Sequence, residues 1–162
     1  MALPEICTIG YEGATVEGLI GALKQAGVTR VVDVREAPFS KREEFSKEAL
    51  AAALAEYGIS YTHMRELGNP PEGREAARAG HMIAFREILN AHLDSEVGQA
   101  GLTRALALAA EEKVCLLCLE RSAQHCHRSV VSARMHQATG QTIVNLTVSR
   151  KTAHPAQAAF DF

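Results

Sequence analysis

A chain of 162 residues, 47% hydrophobic and 22% charged, has the size and balance of one well-filled globular domain. A formal net charge of −2 argues against a basic nucleic-acid coat or a membrane-surface protein. Four cysteines in no disulfide-framework spacing, no apolar run of membrane length and no secretory core in MALPEICTIGY point to a reducing, cytoplasmic setting without a membrane partner.

Taken in chain order, short apolar runs alternate with helical periodicity. Ile6–Tyr11 reads as a strand, followed by a helix over Val16–Gln25 on which Val16, Leu19, Ile20 and Leu23 share a face and Gly27 marks the stop. Arg30–Arg35 is a second strand, β-branched and suited to burial on both faces. A charged loop, Ala37–Glu44, leads to a helix capped by Ser46 and running to Tyr57. Ile59–Met64 is a third strand. The glycines and prolines between Arg65 and Gly80 predict mostly loop.

Helices follow at His81–Leu93 and Leu102–Glu111, then a strand at Val114–Leu119, a helix at Cys126–Ala138 stopped by Gly140, and a last strand at Thr142–Val148. This alternation predicts an α/β fold: a single-domain three-layer sandwich over residues 1–148 with a mostly parallel sheet of about five strands. The small, polar segment 149–162 is expected to be a loose or late-docking tail.

In open parallel sheets, ligands sit beyond the carboxyl ends of the strands. Those ends carry Tyr11, Asp33, Arg35, His63, Cys118 and Glu120, with Cys126, His127 and Arg128 opening the next helix. Cys118 at a strand end and Cys126 at a helix start are candidate nucleophiles. The helix N-terminus and the adjacent His127 and Arg128 favour a thiolate there. Glu120 and His127 are the candidate proton-handling groups.

Cys115 and Cys118 point to opposite faces of one strand, so their C-x-x-C spacing is not a redox pair; Cys115 and Cys7 read as inert core. Asp33 and Arg35 share a face. They are either an ion pair that fixes the following loop or, with Lys41 or Arg42 nearby, a grip on an anionic group. Tyr11, His63 and Arg128 complete the expected substrate-binding set.

The expected partner is a small anionic or nucleotide-like ligand. Cys118, Cys126 and His127, with His125 or Glu120, also form a candidate metal set, although no cofactor is otherwise indicated. No acidic residue lies between Glu120 and Asp161, which leaves nucleotide or nucleic-acid binding without turnover as the alternative, and a fold-stapling role for the triplet as a third reading.

Several of these residues occur in a recognisable order. TIGYEG (Thr8–Gly13), VVDVREAPFS (Val31–Ser40), Tyr61-Thr62-His63 with Glu66-Leu67-Gly68, and Cys118-x-Glu120 followed by Cys126-His127-Arg128 resemble the uncharacterised prokaryotic family termed domain of unknown function 488. The resemblance spans about Thr8 to Val148 and implies no settled reaction. Histidine is the commoner residue of that family where Tyr11 stands. VVDVRE and the segment from KVCLLC to Val144-Asn145-Leu146 are more weakly similar to rhodanese-like sulfurtransferases. That likeness implies Cys118 in a sulfur-carrying position, but the insertion bearing Cys126 and His127 has no counterpart there.

Overall fold

Five strands, β1 (Ile6–Gly10), β2 (Arg30–Asp33), β3 (Ser60–His63), β4 (Val114–Cys118) and β5 (Ile143–Asn145), pair in parallel in the order β3-β2-β4-β1-β5. They belong to a computed structural model that describes residues 2–148. The segment expected to be a tail lies outside the described residues. Six helices complete the order: α1 (Val16–Gln25), α2 (Lys47–Glu56), α3 (Pro71–Arg78), α4 (Met82–Asp94), α5 (Glu96–Glu111) and α6 (His127–Thr139). The expected α/β sandwich is therefore present, with a sheet that is parallel throughout.

β1 and β4 are buried along their whole length, which is why they carry mostly apolar runs instead of an alternating pattern. One sheet face meets α1 and α2: Leu19, Leu23, Leu50 and Leu54 pack on Cys7, Ile9, Val31, Cys115 and Leu117. The other meets α4, α5 and α6 through Phe85, Leu89, Ala105, Val131 and Met135, packed on Val32, Leu116 and Cys118. Each fully buried leucine contributes about 1.5–3 kcal/mol through removal from water. Cys115 and Cys118 fall in different faces, as strand alternation requires.

Two differences from the sequence reading have physical causes. α3 lies inside the stretch expected to be loop. Pro71 stands at its first turn, where a missing N–H is harmless and the fixed φ suits a helix. α5 begins at Glu96, not Leu102, because the Ser95 side chain accepts from Gly98 N and caps it; Gly98 and Gly101 disguised its first turn.

The chain leaves β1 toward β2 on one side of the sheet and leaves β4 toward β5 on the other. β1 and β4 are neighbours, with Gly10 beside Cys118. Their ends diverge to opposite faces, and this is the switch point at which open parallel sheets form a crevice.

Candidate functional site

Beyond Cys118 the chain passes Leu119 and Glu120, makes a short 3-10 turn at Ala123–His125 and enters α6 with Cys126 as its cap. The Cys126 sulfur accepts from Arg128 N at 3.5 Å. This is the work a serine or aspartate usually does at a helix start. Two residues on, Arg128 turns inward and is fully buried.

The Arg128 guanidinium donates from Nε to Thr8 Oγ1 at 3.2 Å, from Nη1 to Cys118 Sγ at 2.9 Å and to the Glu120 carbonyl, and from Nη2 to the Arg121 carbonyl at 3.1 Å. Among the described residues no carboxylate pairs with it. Burial lowers its pKa. Arg128 meets Glu120 through the backbone carbonyl and not through the carboxylate. Gly10 leaves room for this: a Cβ there would land on the Glu120 carbonyl and come within 2.9 Å of Arg128 Nη1.

Cys118 and Cys126 are paired as a disulfide, with Cα atoms 7.4 Å apart. The sequence reading treated both as free thiols, because eight residues of intervening loop conceal how closely the end of β4 approaches the start of α6. Cys7 and Cys115 are free and buried, as expected. Burial raises the pKa of both thiols, so neither is a ready nucleophile.

His127 is buried, with Nε2 2.6 Å from the Val34 carbonyl. A carbonyl can only accept, so Nε2 carries the proton and Nδ1 presents its lone pair. Nδ1 lies 3.6 Å from Cys126 Sγ. Burial, the largest influence, lowers the His127 pKa to about 4 despite the Val34 hydrogen bond, so the ring is neutral near pH 7. The sulfurs of Cys118 and Cys126 and a His127 nitrogen lie within 4.8 Å of one another.

A second arginine approaches from β2. Asp33 is completely buried and grips Arg35 through both oxygens, with Nε at 2.9 Å and Nη2 at 2.7 Å. Arg35 Nη1 donates to Tyr11 Oη at 3.2 Å and to the Phe45 carbonyl at 2.8 Å. Four of its five N–H groups are thus engaged, and its bidentate edge is taken by Asp33, not left for a ligand. Burial works against the charge on Arg35, but its hydrogen bonds to Asp33 and the Asp33 charge outweigh it and raise its pKa. Tyr61 Oη donates to the same carboxylate, and Tyr11 stacks on Phe45 with ring centroids 4.6 Å apart. Arg42 lies over the Phe45 ring and pairs with Glu44.

These elements enclose a pocket of about 210 Å³ lined by Tyr11, Arg35, Cys118, Glu120 and His127, together with Glu36, Ala37, Phe39, Asn69, Arg74 and Leu119. Five of the nine residues expected at the site therefore share one pocket. Cys126 and Arg128 lie behind Cys118, and Asp33 behind Arg35. His63 is apart from it, half-buried, with Nε2 2.7 Å from the Arg35 carbonyl, so it holds backbone. Glu120 is half-buried, and burial raises its pKa, partly offset by its own backbone hydrogen bond and by Arg128.

Three groups here escaped the sequence reading. Thr8 anchors Arg128. Asn69 lines the pocket with its Oδ1 buried and unpartnered. Arg74 reaches the rim from α3 and pairs with Glu36 at 3.1 Å. Thr8 sits in the TIGYEG run and Asn69 directly follows Glu66-Leu67-Gly68, which were the available signals. Gly68 itself allows that turn to lie on Glu36, whose backbone a Cβ would strike.

No helix among the described residues is long and apolar enough to cross a membrane. Comparison with curated proteins gives no match, and comparison with solved structures gives none. A family model described as "Domain of unknown function DUF488" matches residues 15–135, most of the chain. This α/β protein with its Cys-Cys-His cluster therefore belongs to the DUF488 family.

Proposed function

We propose that this protein is an enzyme that binds a small anionic substrate at the strand-end pocket and, once a thiol reductant has opened the Cys118–Cys126 disulfide, acts on it through the thiolates so released, Cys118 foremost. One observation carries the reading: a fully buried guanidinium without a carboxylate partner donates to Cys118 Sγ at 2.9 Å on the pocket floor. A buried cation is expensive unless compensated, and the compensation within reach is negative charge on that sulfur or on a ligand beside it. The same guanidinium favours the thiolate over the thiol. Arg35 and Arg74 add positive charge to the pocket wall, and the Asn69 carbonyl offers an acceptor for a substrate N–H or O–H. Glu120, on the pocket lining, would exchange protons with a ligand, whereas both ring nitrogens of His127 are engaged by Val34 and Cys126.

The test is alkylation of the reduced, chelator-treated protein with iodoacetamide at neutral pH, read by peptide mass mapping. Label should collect on Cys118 faster than on a simple thiol, and inorganic phosphate should slow it. Absence of label from Cys118, or labelling indifferent to phosphate, would remove the reading.

A further inference from the structure

We propose that, once two electrons from a thiol reductant have cleaved the Cys118–Cys126 disulfide into two thiolates, the cluster behind this pocket is a zinc-class metal site, with Cys118 Sγ, Cys126 Sγ and His127 Nδ1 as its three protein ligands and its fourth position facing the pocket. The inference rests on reading the pocket as an anion site, and it specifies what the thiolates do there.

Four features carry it. The three donor atoms already lie within 4.8 Å of one another. The Cys126 Sγ to His127 Nδ1 separation is 3.6 Å; a sulfur and an imidazole nitrogen on one tetrahedral zinc stand about 3.5 Å apart, given bonds of about 2.3 and 2.0 Å. Adjacent residues thus reach one ion because the extended backbone of Cys126 (φ −125°, ψ 147°) turns its side chain toward the first helical residue.

The imidazole is also held as metal-binding imidazoles usually are. Its Nε2–H is given to the Val34 carbonyl at 2.6 Å, which fixes the tautomer and aims the Nδ1 lone pair at the sulfurs. The Cα atoms of Cys118 and Cys126, 7.4 Å apart, are wider than the usual 4.4–6.8 Å of a disulfide. Two side chains converging from that distance can flank an ion, with the sulfurs parted to about 3.8 Å.

Finally, Cys118 and His127 line the pocket whereas Cys126 does not. An ion on all three would therefore have a face open to it, as catalytic three-ligand zinc sites do. The charges agree: a divalent ion and two thiolates cancel, and buried Arg128, donating to Cys118 Sγ, leaves one positive charge. The open position would then favour an anion. Bound there, the ion would polarise that anion or lower the pKa of a water, and Cys118 would serve as ligand instead of attacking atom.

The experiment uses the untagged full-length chain, purified anaerobically after reduction. Elemental analysis should find about one zinc per chain. Cys118 and Cys126 should resist alkylation until a chelator is added. Cobalt in place of zinc should give thiolate-to-metal charge-transfer absorption and the strong visible bands of a tetrahedral ion, and azide should shift those bands. Cys126→Ser and His127→Gln should each abolish zinc retention; circular dichroism checks that the variants fold, and the cobalt spectrum of the unaltered chain stands without them. Reduced protein that takes up neither zinc nor cobalt overturns the proposal, and if its Cys118 is then alkylated under phosphate control, the anion-and-thiolate reading survives alone. Cobalt bands indifferent to azide overturn the pocket-facing form of the site.

Discussion

Two arginines lie buried at the strand ends of this sheet, and they are compensated in opposite ways. Arg35 is locked to Asp33 by paired hydrogen bonds, with Tyr11, Tyr61 and the Phe45 carbonyl completing a closed network. Among the described residues Arg128 has carbonyls, one hydroxyl and one sulfur, and no carboxylate. The first arrangement is electrically complete and builds a wall. The second leaves positive charge beside Cys118.

The comparison can be broken from either side. The largest effect is expected from Asp33→Asn, which keeps shape but strands the Arg35 cation in the interior. Removing one partner of a buried pair costs about 3–5 kcal/mol, read as a fall in the denaturation midpoint. A loss under about 1 kcal/mol would mean that Arg35 is not held as described.

Gly10→Ala drives a methyl into the Glu120 carbonyl and toward Arg128. Overpacking there should cost about 1–3 kcal/mol and, by displacing the guanidinium, slow Cys118 alkylation in the reduced, metal-free protein. Lost stability with unchanged alkylation would separate Arg128 from the sulfur's reactivity.

Tyr61→Phe removes one donor to Asp33 and should cost about 1–2 kcal/mol. It also carries a pH signature. Burial first, then the Asp33 charge, raises the Tyr61 pKa, so the folded protein holds that proton more tightly than the unfolded chain. Its contribution is complete below the unfolded value of about 10 and declines as pH rises beyond it. Stability measured from pH 9 to 11 should therefore fall more steeply in the unaltered protein than in Tyr61→Phe. Parallel curves would contradict the closed network.

The smallest effect on stability belongs to Arg74→Ala. Arg74 is 42% exposed and paired with Glu36 at the surface, where such a pair is worth about 0–1 kcal/mol. Phosphate protection of Cys118 should nevertheless weaken. Unchanged protection would assign the anion to the inner arginines alone.

The sheet and its strand ends were legible because they rest on local signals: short, mostly apolar runs for β1 and β4, a β-branched pair in β2, and helical spacing for α1. The convergence of Tyr11, Arg35, Cys118, Glu120 and His127 followed from the parallel topology. What escaped depends on approach in space. α3 was hidden by the same prolines and glycines that position it, and the pairing of Cys118 with Cys126 by the loop between them. The roles of Asp33 and His63 could not be assigned either: a carboxylate two residues before an arginine reads alike whether it faces a ligand or the arginine. Orientation decides, and orientation is tertiary.

Arg128 reaches Thr8 across 120 positions of chain, and Thr8 in turn donates to Asn145, 137 positions away. The sulfur's electrostatic environment is therefore assembled from the first strand, the fourth strand, the last helix and the last strand together. In a chain whose first strand has not docked, Arg128 lacks its Thr8 partner and Thr8 its bond to Asn145. The placing of a cation beside the Cys118 sulfur is thus tied to closure of the sheet across nearly the whole described chain.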